Sequence, residues 1–382
     1  MKKAIYFLLS FMIVVSLILT GLPGCGKGPP EEPVKIGFLA PFTGFADVTN
    51  PDMLRGVEFV LDEIGWEVAG RQIEVFVEDS GSDPSIAVDK ARKLVEYDNV
   101  DVVLGPPVAH TSLAVSAYLG KKGVIHLPTS PEPEFMLEQS PLSFIQFGTQ
   151  EGLSYPLGQY AYEIGYRKAS LLTADYEEGY VFCGAFRDGF TEAGGVVIQE
   201  QLVDPYTEDI GPYILNIDKS SDVIAAWLVA LGSLTYAQRV REYGLNMPLM
   251  FVVNLPIAQS VLPQLGDAAL GMISTATYTS LIDTPENNRF VNKYREKHGE
   301  YPTCYTMEGY GAVSVYLEAV KITGGDTTPE KIAEALKIVE VDTPKGKITM
   351  TPERVGVNNV YIVEATKVDG RYAWKPLKTV RR

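Results

Sequence analysis

The chain has 382 residues and a formal net charge of −15. So large an excess of acid argues against a nucleic-acid partner and against a basic membrane-binding patch, while the length suits two domains of ordinary size. With three cysteines in all, no disulfide framework is available, and the fold must rest on its apolar cores.

The first element is an address label. Lys2 and Lys3 form a basic n-region, and residues 4–19 form an apolar stretch interrupted only by Ser and Tyr, the pattern of a secretory signal. Leu22-Pro23-Gly24-Cys25 resembles the lipobox of bacterial lipoproteins. That resemblance implies cleavage before Cys25 and lipid attachment to it; an uncleaved membrane anchor is the alternative. Residues 1–24 are thus expected to be a signal peptide and 25–33, a Gly/Pro/Glu segment, a lipid-anchored tether. No other apolar run is long enough to span a bilayer.

Residues 34–62 open the folded part. An apolar run at 34–40 is of strand length, a loop follows with Pro41, Thr43 and Gly44, and Leu54, Val57, Leu61 and Ile64 recur at helical spacing. Strand, loop and helix in that order begin an α/β sheet, whose ligands bind beyond the C-terminal strand ends. The rhythm continues with a strand at 72–78, a helix at 86–97, a strand at 101–104, a helix at 112–119, and strands at 124–127 and 143–148. A second set runs as helix 152–164, strand 168–173, helix 180–193, strand 196–202, helix 210–217, strand 223–229, helix 233–243 and strands 249–253 and 272–277. Helices at 285–298, 306–323 and 329–338 follow, the first capped by Asp283 or Thr284 with Pro285 entering it. Short strands at 347–350, 360–364 and 372–376 close the chain, with Asp369-Gly370 as a hairpin turn.

Catalytic signatures are missing. No Gly-x-Ser-x-Gly elbow, Gly-x-Gly-x-x-Gly loop or Walker-type motif occurs, and His110, His126 and His298 lack metal-ligand spacing. Asp79 and Asp83 read as turn caps. Neither a catalytic residue, a cofactor nor a metal is expected. Cys183 and Cys304 could pair, but read better as small apolar side chains.

Several scattered stretches together carry a resemblance: Ile36-Gly37 with Ala40-Pro41-Phe42-Thr43-Gly44, Arg55-Gly56, Gly70-Arg71-Gln72-Ile73, Glu78-Asp79, Asp83-Pro84, Asp188-Gly189-Phe190 and Tyr243-Gly244-Leu245. Behind a lipobox, and in this order, the chain resembles the periplasmic-binding-protein type 1 family, in particular the branched-chain amino acid or amide-type binding lipoproteins of ABC transporters. The resemblance implies an α/β fold of two Rossmann-like lobes. One would comprise 34–148 plus 281–345 and the other 153–276 plus 350–382, joined by three hinge crossings near 149–155, 275–284 and 344–352. It implies an exported carrier, held by lipid at the outer face of the cell membrane or in the periplasm, that closes on a small organic ligand and delivers it to a membrane permease. A sensor or chemotaxis subunit on the same fold is the alternative.

The expected ligand contacts are Phe42, Phe45 and Thr49 in the first loop, Ala109, His110 and Thr111 after the third strand, Thr129 and Ser130 after the fourth, and Tyr176, Trp227, Val229 and Asn254 in the second lobe. Each also has a structural reading: Phe42 as loop packing, His110, Thr129 and Ser130 as helix caps, Trp227 as core. Aligned with the amino-acid-binding members, Ala109 replaces a serine, Pro131 a threonine and Val229 a tyrosine, and the acid falls at Asn254 or at its neighbours Val253 or Leu255, none of them charged. An ammonium without a carboxylate partner is costly to bury. A standard zwitterionic amino acid is therefore expected to fit poorly, and a neutral or monoanionic solute better.

Overall fold

A computed structural model describes residues 32–44, 46, 50–253 and 261–382; the expected signal peptide and Cys25 lie outside the described residues. Strand β1 (Val34–Ala40) forms because an almost unbroken apolar run can be buried on both faces of a parallel sheet. Around it assemble β2 (Glu67–Val68), β3 (Arg71–Asp79), β4 (Val102–Leu104) and β5 (Ile125–Leu127), in the order β2-β3-β1-β4-β5. All pairings are parallel except the β2–β3 hairpin.

Three helices connect these strands: α1 (Asn50–Ile64), α2 (Pro84–Glu96) and α3 (Ala109–Lys122). Strand alternation sends Ile36 and Phe38 into the core that also holds Met53 and Val57, and Leu39 to the opposite face with Ala87, Ala91 and Leu94. Asp83 starts α2 by accepting from the Ser85 and Ile86 N–H groups at 2.8 and 3.1 Å.

The second sheet repeats the scheme. After α4 (Gln150–Glu163) come β6 (Lys168–Ala174), α5 (Glu177–Glu192), β7 (Val196–Val203), β8 (Val223–Trp227), α6 (Ala230–Glu242), β9 (Leu249–Phe251) and β10 (Ile273–Ala276). Two further helices, α7 (Pro285–His298) and α8 (Cys304–Ile322), precede α9 (Pro329–Leu336). A small antiparallel sheet of β11 (Glu340–Thr343), β12 (Gly346–Met350) and β13 (Gly356–Val357) leads to β14 (Asn359–Val368) and β15 (Arg371–Arg381). The last two strands join the second sheet antiparallel, giving the order β15-β14-β10-β9-β8-β6-β7. Helix α8 packs instead against α1, beside the first sheet.

Local signals explain these boundaries. Thr284, not Asp283, caps α7, accepting from the Asn287 N–H at 3.2 Å, with Pro285 entering the helix. The β14–β15 turn has positive φ at both Asp369 (52°) and Gly370 (77°), as a two-residue hairpin requires. Residues 143–148 do not form the expected strand. They make only isolated bridges, Ser143 to His126 and Ile145 to Val355, and other carbonyls of the segment are taken singly, that of Ser143 by the Arg354 guanidinium and that of Gln146 by the Asn358 amide. Cys183 and Cys304 are separate buried thiols.

Candidate functional site

In each sheet the strand order reverses direction beside the strand that comes first in the chain. β1 lies between β3 and β4, and β6 between β7 and β8. A crevice opens at such a switch point, at the C-terminal strand ends. The loops after β1, β4 and β5 therefore form one bank, and those after β6 and β8 the other.

On the first bank, Asp79 shapes the loop after β1. Its carboxylate accepts from the N–H groups of Phe42 (2.8 Å), Thr43 (3.2 Å) and Gly81 (2.8 Å) and from the Thr43 hydroxyl (2.7 Å). Burial opposes its charge, but these bonds prevail and hold the carboxyl below its ordinary range. Gly44 has φ +96°, and a Cβ there would lie 2.5 Å from the Gly81 carbonyl oxygen, so no larger residue fits. Phe42 is half-buried against the core. Phe45 and Thr49, expected beside it, lie outside the described residues, as does Asn254.

Gly105 directly follows strand β4, and a Cβ there would meet the Leu39 carbonyl oxygen at 2.2 Å. Helix α3 then starts at Ala109 with Val108 as N-cap, and no side chain caps it. The Thr111 hydroxyl is committed to the Val108 carbonyl at 2.7 Å. Instead the Ala109 N–H donates across the crevice to Glu178 Oε1, 3.2 Å away in the first turn of α5. An acidic group at a helix N-terminus is favourable; here one lobe supplies the helix and the other the acid. Tyr176 donates its phenol to the other Glu178 oxygen at 2.8 Å. The Tyr176 ring lies 5.7 Å from that of Trp227, which in turn lies 5.0 Å from Phe182. His110, half-buried on α3, also acts electrostatically on Glu178. Val229 lines a neighbouring crevice with Ala174, Val203 and Asp204, at the ends of β6 and β7.

Beyond β5, the Ser130 hydroxyl lies 2.6 Å from the Pro107 carbonyl and 3.0 Å from Glu132 Oε1. A hydroxyl has one proton, and a carbonyl can only accept. With Ser130 donating to Pro107, its contact with Glu132 is satisfied when Glu132 carries a proton and donates. Burial pushes the Glu132 carboxyl well above its ordinary range, and the nearby Glu178 and Glu308 charges add to this. The Glu132 carbonyl accepts the Gln150 N–H at 3.0 Å, tying this bank to the first passage between the sheets.

Glu308 stands on α8 at the second and third passages. Its Oε1 accepts from Thr277 Oγ1 at 3.3 Å. Burial raises its pKa to about 8 although Lys345 pulls the other way. Lys345, itself buried, has its ammonium 4.7 Å from the centre of the Phe147 ring, and burial lowers its pKa to about 7.

Direct contacts thus join Ala109 and Tyr176 of the expected set through Glu178, and Trp227 through the Tyr176 ring, while Ser130 is bonded to Pro107 and Glu132, the hydroxyl of Thr111 is turned to its own helix and Val229 to the adjoining crevice. Thr129 is fully buried with an unpartnered hydroxyl beside Gly105. The sequence pointed to no pocket acid; the crevice draws its carboxyls from Glu132, Glu178 and Glu308 instead. A visible signal existed for two of them: Glu132 stands between Pro131 and Pro133 directly beyond a strand, and Glu308 is the lone charged residue between Cys304 and Leu317 of its helix.

The raised pKa of Glu132 makes stability depend on pH with a definite sign. The folded chain keeps this proton to higher pH than the unfolded chain. Its contribution is therefore complete below the ordinary carboxylate range and is lost as pH rises through the folded pKa. Melting curves from pH 4 to 8 should show the wild type falling behind Glu132→Gln as pH increases. Two curves that stay parallel would contradict the assignment.

A family model described as a periplasmic binding protein matches residues 33–371. A Leu/Ile/Val-binding protein homolog 6 of Brucella suis biovar 1 (strain 1330) is 27% identical over 361 residues, covering 91% of this chain and 92% of its own. An ABC transporter substrate-binding protein from Sphaerobacter thermophilus superposes with a TM-score of 0.85 at 30% identity, over 91% of this chain and 98% of that one. A solute-binding protein of an ABC transporter from Rhodopseudomonas palustris BisB5, solved in complex with 3,4-dihydroxybenzoic acid, gives 0.85 at 26% identity, over 92% and 97%.

Proposed function

Because the chain belongs to the periplasmic binding protein family, we propose that the crevice between its sheets closes on a small organic solute and presents it to a membrane permease. The protein is an extracytoplasmic solute-binding component of an ABC importer. The observation that carries the closing mechanism is the Ala109–Glu178 bond at 3.2 Å, made between banks that belong to different sheets. A solute favours the shut form only through groups it touches better in that form. The buried side chains without protein partners in the crevice are such groups.

In this reading the lobes are 34–148 plus 281–345 and 153–276 plus 350–382, turning on the passages near 149–155, 275–284 and 344–352. The protein carries its guest unchanged and is not a catalyst. Cys25 bears the lipid that keeps it at the membrane, and Cys25→Ala should move it from the membrane to the soluble fraction.

The test of the carrier role is mass spectrometry of small molecules released when the purified protein is denatured. The expected result is a single organic solute near one per chain. A protein that retains none, and takes up none from a metabolite mixture, would contradict it.

A further inference from the structure

The buried groups between the two banks are unbalanced in charge and in hydrogen bonding, and both imbalances point to one kind of solute. Charge comes first. Glu132 and Glu308 are withdrawn from solvent, at 0% and 1% exposure, with Glu178 half-buried nearby. Their positive neighbours are His110, acting on Glu178, and Lys345, acting on Glu308. The charges acting most strongly on Glu132 are Glu178 and Glu308, both negative. Buried carboxyls in this setting need either protons or a cation.

The second imbalance is in donors and acceptors. Among the described residues, Glu308 Oε2 and the Gln150 side-chain oxygen are buried acceptors without a hydrogen-bond donor, and Glu132 Oε2 makes no hydrogen bond either, although the Ser112 hydroxyl pulls on that carboxyl. The Thr129 hydroxyl can play either part, and only Trp227 Nε1 is a donor left over among these groups. Buried polar atoms are rarely left unmade, since each costs about 1–3 kcal/mol. A solute carboxylate, which only accepts, could pair with Trp227, Thr129 and a protonated Glu308, but not with the Gln150 oxygen nor with either carboxyl while it is ionised. A nitrogen bearing several protons could.

A third observation agrees. The N–H at the start of α3 is the natural seat for an anion on the first bank, and the protein's own Glu178 occupies it. A carboxylate solute would have to displace that acid and leave it buried beside two others.

We propose that the crevice takes a solute with a protonated nitrogen, an organic amine or amidine, lodged between Glu132 and Glu308, whose aromatic or apolar body lies on Tyr176 and Trp227 and offers an acceptor atom to the indole. This deepens the carrier reading and rests on it. Glu178 is not a direct ligand group in this arrangement, because Ala109 and Tyr176 already use its two oxygens. It adds negative potential and holds the banks together.

The test is calorimetry on the purified full-length protein after dialysis against denaturant and refolding. The probes are tyramine, tryptamine and agmatine, set against 4-hydroxybenzoate and leucine. At least one amine should bind, and Glu132→Gln and Glu308→Gln should each weaken it by about tenfold or more, the expected loss of a charge-assisted bond. Repeating the titration in buffers of different ionisation enthalpy should show protons released on binding, which a purely structural role for these acids would not produce. Binding of 4-hydroxybenzoate or leucine without any amine overturns the proposal and leaves the carrier reading intact. Amine binding that both glutamine variants retain at full strength also overturns it. Binding of no probe at all overturns the amine assignment and counts against the carrier as well.

Discussion

Replacing Gly309 with valine should cost about 3 kcal/mol or more of stability, near the upper end for a single overpacking substitution. A Cβ at Gly309 would lie 1.9 Å from the Met53 carbonyl oxygen, and one at Gly56 would lie 2.0 Å from that of Thr306. Helices α1 and α8 therefore touch backbone to backbone, and each uses a glycine to do so. A side chain can swing aside, but a helix carbonyl cannot. The helices would have to part, drawing Met53 and Val57 on one side away from Val313 and Val315 on the other. The second sheet uses the same device between α4 and α5, where Gly158 faces the Phe186 carbonyl at 2.0 Å and Gly189 that of Tyr155 at 2.2 Å. Gly299→Ala is the control: its φ is +74° but nothing lies within 4 Å, so the cost should be the conformational one, about 1–2 kcal/mol. Urea midpoints measure both. A Gly309→Val protein as stable as the Gly299→Ala control would refute this account of the packing.

Trp227→Ala should lose both fold stability, by about 3–5 kcal/mol for a fully buried aromatic side chain, and solute binding. Trp227 ends β8 at 3% exposure, packed between the tilted rings of Tyr176 and Phe182. Its ring supports the residue that bonds Glu178, so truncation loosens the latch as well as the wall. Trp227→Phe separates the two effects. It keeps an aromatic ring between Tyr176 and Phe182 while removing Nε1, which has no hydrogen-bond partner among the described residues, together with part of the indole's volume. Chemical denaturation of the solute-free variant should show a smaller loss than Trp227→Ala, while titration with the solute recovered from the protein should show affinity lower by about tenfold, the worth of one good hydrogen bond. A Trp227→Phe protein that binds as tightly as wild type would show that the indole N–H does not meet the solute.

Much of the fold is legible in local pattern. The β1–α1 unit follows from an apolar run, a Gly/Pro-bearing loop and a 3.6-residue repeat, and the Asp369-Gly370 hairpin from two residues that tolerate positive φ. Residues 143–148 mislead because strand-like composition cannot tell whether a partner edge is free, and the groups that take the Ser143 and Gln146 carbonyls lie about two hundred residues further on, at Arg354 and Asn358.

The site is less legible, for two physical reasons. Side-chain chemistry hides the use of backbone: Ala109 stands out in the sequence for lacking a hydroxyl, yet what it contributes is its N–H, which nearly every residue type has. Burial of an acid is likewise a long-range property. Glu308 reads as one polar position in an apolar helix until Thr277 and Lys345 are brought to it from other passages of the chain. Tyr176 and Trp227 were within reach because each directly follows or ends a strand.

The most direct test of closure on a guest is small-angle X-ray scattering of the stripped protein before and after its own solute is restored. Two lobes turning on three chain passages predict a smaller radius of gyration at saturation, reached in step with the binding isotherm. A scattering curve that stays unchanged while calorimetry reports full occupancy would contradict a closing carrier.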